Sequence, residues 1–250
     1  MRWTGLAALG GLMLAGCFDE GGDEAKVQSA SAVADGILAF AEIKNNIPAN
    51  PGPAGEALLR FIQTPVAAEN LISPPGELSD LGAQRLSAPA PIPDCMTTMG
   101  SEGCDSFATN QGTTCEAGPF TFTGSASRMC SPCTDLMGTC TYDWNLTVRY
   151  VVPNVDLSIT TDGPVTTTLS SIEFDTTFTY MLNANGETRS GSASIKSCGA
   201  AMLSSSAPKK LVNSKFVVRS IAIPTRCALV TFDGAGTPSV GRCAAGTGCP

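Results

Sequence analysis

Cysteine is the residue type in this chain whose number and spacing most plainly offer chemistry. There are eleven, and ten fall from residue 95 onward: Cys95, Cys104, Cys115, Cys130, Cys133, Cys140, Cys198, Cys227, Cys243 and Cys249. Cys130-Ser131-Pro132-Cys133 has the Cys-x-x-Cys spacing used by redox pairs and by zinc sites. A thioredoxin-type pair needs a helix N-terminus after a strand, where the dipole lowers a thiol pKa. Here the stretch from Thr134 to Thr139 is short, contains Gly138 and reads as running into a strand. A thiol–disulfide oxidoreductase built on Cys130 and Cys133 is therefore an alternative, not the first reading. Zinc on Cys130, Cys133, Cys140 and a distant fourth cysteine would need free thiolates, which an oxidising compartment opposes.

Other constellations are weaker. Histidine is absent, which removes His-based triads and His-bearing zinc sites. Glu173 and Asp175 share one face of one strand, whereas glycosidase carboxylates flank a substrate from opposing elements. Ser204-Ser205-Ser206 with Lys209 and Lys210 sits in a small-residue loop with no nucleophile elbow, and Gly234-Ala235-Gly236 lacks a phosphate-loop pattern. No catalytic residue, cofactor or metal site is assigned from the sequence, and a non-enzymatic role is expected. The ligand-binding residues stay unknown.

The compartment follows from the first residues. Arg2 precedes an apolar run from Trp3 to Gly16, too short to span a bilayer core of ~30 Å but of signal-peptide length. The run ends in Leu14-Ala15-Gly16-Cys17. This resembles the lipobox of bacterial lipoproteins. The resemblance implies cleavage before Cys17, acyl chains (palmitate among them) on that cysteine, and anchoring in the bacterial cell envelope. By the same resemblance Phe18, where an Asp would signal inner-membrane retention, favours the outer membrane over the inner. It covers only the leader and implies no family for the mature domain. With Cys17 set aside the cysteines are even in number, which in an exported chain reads as a disulfide framework whose connectivity spacing does not reveal.

Charge divides along the chain. Residues 18–105 hold 13 acids and 4 bases, while residues 183–250 hold 8 bases against Glu187 and Asp233. The overall charge of −7 argues against nucleic acid. The basic end suits anionic headgroups, polyanionic glycans or the acidic N-terminal region; dispersed solvation is the simpler expectation. The expected partners are the membrane, through the lipid, and an unidentified envelope protein or glycan.

The elements that would position these residues change character near Cys95. Residues 1–16 form the signal peptide and 17–24 a lipidated, solvated tether. Residues 25–94 form a helical arm and a Pro-rich linker, and 95–250 a Cys-rich β domain. Val27, Ala30, Ala34, Ile37, Leu38 and Ala41 recur at three and four, which predicts a helix over 25–44 whose stripe packs as core. A second short helix is expected over 54–63, ended by Pro65. Six prolines between 64 and 93 mark the linker.

Beyond the linker the period is two. Tyr142 to Val152 alternates cleanly, Val155, Leu157 and Ile159 continue it, and Asp162-Gly163 offers a turn. Asn185-Gly186 predicts a tight hairpin that sets Tyr180 opposite Gly191, Phe178 opposite Ala193, Thr176 opposite Ile195 and Asp175 opposite Lys196. Strands are also expected near 120–123, over 215–223 and over 227–232, joined at Pro224-Thr225. The expected fold is mainly β: an antiparallel sandwich, barrel or curved sheet of six or seven strands, stapled by disulfides, with a short N-terminal helical arm. The first functional reading is a lipid-anchored envelope protein with a binding or structural role. A carrier of an apolar ligand on a curved sheet, lined by Trp144, Tyr150, Phe178 and Tyr180, is the nearest rival.

Overall fold

The computed structural model describes residues 20–46, 64, 65, 67–69, 71, 72, 115–117, 120–131, 138–243 and 249. Helix α1 (Glu20–Asn46) and, among the described residues, helical residues between 64 and 72 precede eleven strands. These are β1 (Cys115–Ala117), β2 (Phe120–Ser131), β3 (Thr139–Val152), β4 (Val155–Thr167), β5 (Ser171–Ala184) and β6 (Glu187–Ser197). They continue with β7 (Ala201–Leu203), β8 (Leu211–Val212), β9 (Ser214–Ser220), β10 (Cys227–Phe232) and β11 (Pro238–Arg242). All pair antiparallel in one open sheet, in the order β1-β2-β3-β4-β5-β6-β9-β10-β11, with β7 and β8 forming a branch off β5. The mainly β, disulfide-stapled antiparallel fold read from the sequence is the fold observed.

Strict alternation makes the sheet one-sided. Tyr142, Trp144, Leu146, Val148 and Tyr150 of β3 are buried, while Asp143, Asn145 and Arg149 between them are exposed. The same face continues through Leu157, Ile159 and Val165 of β4 and through Ile172, Phe174, Phe178, Tyr180 and Leu182 of β5. It ends in Ala193 and Ile195 of β6, Phe216 and Val218 of β9, and Ala228, Val230 and Phe232 of β10. An apolar face this wide needs a cover. Ala30, Val33, Ala34 and Ile37 of α1, with Ala67, Ala68 and Leu71, belong to the same core as these strand residues. The expected arm is thus a layer of the domain.

The hairpin register is the one expected. Tyr180 lies opposite Gly191, Phe178 opposite Ala193, Thr176 opposite Ile195 and Asp175 opposite Lys196. Asn185 and Gly186 turn the chain at φ 53° and 85°, as a two-residue primed turn requires.

Several boundaries move. The helix starts at Glu20, so Glu20 to Glu24, assigned to a solvated spacer, are helical. Thr64 and Pro65 are helical, as are 67–69 and 71–72, so helical residues continue past Pro65. The expected helix over 54–63 and most of the Pro-rich segment lie outside the described residues. Asp162-Gly163 is not a turn. β4 runs straight through it, with Gly163 opposite Trp144 and at φ 121°. The chain turns instead at Pro153-Asn154, where Asn154 has φ 66°. Finally, β9 stops at Ser220, and residues 221–226 form a loop instead of completing a strand to 223.

Candidate functional site

Cys17, the expected lipid-bearing residue, lies outside the described residues, as do Cys95, Cys104 and Cys133. Cys115 opens β1, paired with Phe122. The other six cysteines form three disulfides: Cys130–Cys140, Cys198–Cys249 and Cys227–Cys243. Each bridge has a clear topological task. Cys130 and Cys140 face each other across β2 and β3, one pair in from the connection between the two strands. Cys227 and Cys243 tie the start of β10 to the residue just past β11. Cys198, directly after β6, holds Cys249 over a separation of 51 residues. The bond from Cys130 therefore goes to the neighbouring strand and not to Cys133.

The weaker catalytic candidates resolve into structural roles. Glu173 and Asp175 both point to the exposed face of β5. Asp175 Oδ2 accepts from Lys196 Nζ at 2.5 Å, the expected cross-strand charge pair. That contact holds the Lys196 ammonium above its usual range, mainly through the hydrogen bond and then through charge. Ser204 Oγ accepts from the Lys210 amide at 2.9 Å and donates to the Ser206 carbonyl at 3.1 Å. Lys209 Nζ donates to the Ser204 carbonyl at 2.8 Å, so its ammonium serves main chain and no serine hydroxyl. In the 233–237 turn, Asp233 Oδ1 accepts the amides of Ala235 and Thr237, both at 2.8 Å, and these bonds hold its carboxyl below the usual range.

Two surfaces remain for a functional role. On the inner face, Trp144, Tyr150, Phe178 and Tyr180 are no more than 5% exposed and share one core with α1. Burial first, and the nearby Glu69 carboxylate second, push the Tyr180 hydroxyl up to about 12, with Arg189 opposing. Small residues make room for these rings. Trp144 lies between Ala126 of β2 and Gly163 of β4, and a Cβ on Gly191 would meet the Tyr180 ring at 2.6 Å. Glycine kinks on strands flanking β3, at Gly124 and Gly163, are a recognised way for a sheet to curl around such side chains.

On the outer face, hydroxyl side chains form rungs across the strands. Thr123, Thr147, Thr160, Thr179 and Ser192 lie opposite one another in succession across β2 to β6. Thr147 and Thr160 hydrogen-bond at 2.9 Å. Arg149 clamps Asp156 with two bonds of 2.9 and 2.6 Å, which hold that carboxyl below its usual range.

The feature that sequence reasoning missed is the loop after β9. Ile221 and Ile223, expected as strand residues, are 46% and 42% exposed there. The signal was present as an apolar Ile-Ala-Ile-Pro run between Arg219 and Arg226. No family model, curated protein or solved structure matches the chain.

Proposed function

We propose that this is a lipid-anchored protein of the bacterial cell envelope, in the outer membrane by preference, whose β domain plays a non-catalytic binding or structural role. The observation that carries the reading is Leu14-Ala15-Gly16-Cys17, placed just before a helix that is built into a disulfide-stapled core. The anchor and the domain are then one object. Three disulfides among the described residues suit an oxidising compartment. The partner is an envelope protein or glycan, and the broad polar outer face of β2 to β6 is the surface available to it.

The burial of Trp144, Tyr150, Phe178 and Tyr180 within a shared core favours this reading over a carrier holding an apolar ligand among those rings. The bond between Cys130 and Cys140 likewise favours stapling over an oxidoreductase acting through Cys130 and Cys133.

The test is the intact mass of protein extracted from native membranes, with thiols alkylated before and after reduction. The expected species begins at Cys17, carries acyl mass and takes up alkylating agent only after reduction. A chain retaining residues 1–16, or one with two or more native free thiols, overturns the reading. Cys17→Ala should abolish the acyl mass.

A further inference from the structure

The loop joining β9 to β10 displays apolar side chains on a rigid frame. Its backbone is satisfied internally: the Ser220 amide donates to the Arg226 carbonyl at 3.0 Å and the Arg226 amide to the Ile223 carbonyl at 2.8 Å. The Ile223 amide donates to Ser220 Oγ at 3.0 Å, and Arg219 Nη1 to the Pro224 carbonyl at 2.9 Å. A bond of 3.2 Å from the Ile221 amide to the Ser192 carbonyl fastens the loop to β6. The Cys227–Cys243 bridge fixes the residue that follows the loop. A loop so well bonded could fold its isoleucines against the sheet. Instead Ile221 and Ile223 stand nearly half exposed, with Ala222 and Pro224 also exposed between and beside them.

Bases surround this tip. Arg219 precedes the loop and Arg226 ends it, while Arg242 of β11 lies opposite Ala228, one residue into β10. Arg219 belongs to the outer face, since its neighbours Val218 and Ser220 are buried on the inner one, and Arg242 shares the register of inward Ala228. Guanidinium groups thus stand on both sides of the apolar tip, at the corner where the edge strands of the sheet end. Apolar side chains that enter the acyl boundary, ringed by cations that meet lipid phosphates, are the composition of an interfacial membrane contact.

We propose that the 219–226 loop, with Arg242, is a docking corner for an anionic phospholipid surface. It would give the domain a second, reversible membrane contact beside the acyl anchor. The inference deepens the envelope reading, but its chemistry is independent of whether Cys17 is acylated, and the test keeps the two apart.

The chain from Phe18 onward, which lacks both the apolar leader and the site for the acyl chains, is mixed with vesicles of phosphatidylglycerol and phosphatidylethanolamine, and separately with phosphatidylcholine vesicles. It should sediment preferentially with the anionic vesicles and be released as salt is raised. Arg226→Gln with Arg242→Gln should weaken that binding on the order of tenfold. Ile221→Ser with Ile223→Ser should weaken it several-fold, with thermal unfolding near the parent's because both side chains are already exposed. Ile223→Trp should show a blue-shifted emission on adding anionic vesicles.

Equal binding to anionic and neutral vesicles, parent-like binding by these variants, or unshifted emission overturns the proposal. So does a vesicle-free self-association lost in the Ile221→Ser variant, which would make the corner a contact between copies of the chain. Failure of the anchoring reading would appear elsewhere, in the intact mass at Cys17.

Discussion

Thr176 sits on the inner face of β5 with its hydroxyl buried and without a hydrogen-bond partner among the described residues. A buried hydroxyl left unpaired costs roughly 1–3 kcal/mol of desolvation, so Thr176→Val, which keeps the shape, should be neutral or stabilising by up to ~1 kcal/mol in urea unfolding. Ser197, also inward, is different: its Oγ accepts the Phe174 amide at 2.9 Å, and removing it would orphan a buried donor. Tyr180 predicts an alkaline limit to stability. Its folded pKa of about 12 stands above the ordinary phenol value near ~10, so the stability it contributes is complete below pH ~10 and is lost as pH rises towards 12. Burial shifts Tyr150 in the same direction. Tyr180→Phe should remove on the order of 2 kcal/mol of that pH dependence, read as urea midpoints measured across this range. The Asp175–Lys196 pair should matter far less. Both side chains are about half exposed, at 51% and 59%, so Asp175→Asn should cost under ~1 kcal/mol despite the short bond.

At the scale of elements, the β5–β6 hairpin shows what was legible in the sequence. Asn-Gly fixes a two-residue turn, and a two-residue turn fixes every partner, so one local signal determined ten cross-strand pairs. Asp162-Gly163 carries a similar turn dipeptide and has a different job. Residues on either side of it pair with β3 and β5 and never with each other, so the strand continues. Glycine is needed there because φ is 121° and a Cβ would run into the Asp175 carbonyl oxygen. That demand comes from a neighbouring strand, and spacing along one strand does not contain it. Gly163→Ala should therefore cost at least ~2 kcal/mol, measurable by urea unfolding, whereas alanine at a true loop glycine would cost less. The branch strands β7 and β8 span three and two residues, too short for alternation to register. The helix was legible through its apolar stripe, although its first turn was hidden by the acidic, glycine-bearing composition of residues 20–24. Gly36 explains how closely that helix is packed: a Cβ there would overlap Thr64, so the backbone itself meets the second helical segment. The candidate docking corner was partly visible as two arginines bracketing an apolar run. Its character came only from where β9 ends.

For the whole molecule, the Cys198–Cys249 bridge has the longest span of the three disulfides described, and it binds the far end of the chain to the end of β6. In the chain-entropy view a closure of this length contributes up to ~4 kcal/mol, against ~3 kcal/mol for Cys227–Cys243 with its separation of 16. Cys198→Ser with Cys249→Ser should thus lower the midpoint of thermal unfolding more than the matching double substitution of Cys227 and Cys243. Equal losses would show that local strain or residual unfolded structure dominates the entropy of closure.

The early start of α1 has a consequence for reach. Only Phe18 and Asp19 separate Cys17 from a helix that enters the core, and an extended chain covers at most ~3.6 Å per residue. With acyl chains on Cys17, the start of that helix would be moored within ~11 Å of the bilayer surface. Such a protein would not fish for partners at a distance. Its partners would have to come to the membrane plane, and a flexible insert between Asp19 and Glu20 would lengthen the leash without touching the lipid, the core or the sheet.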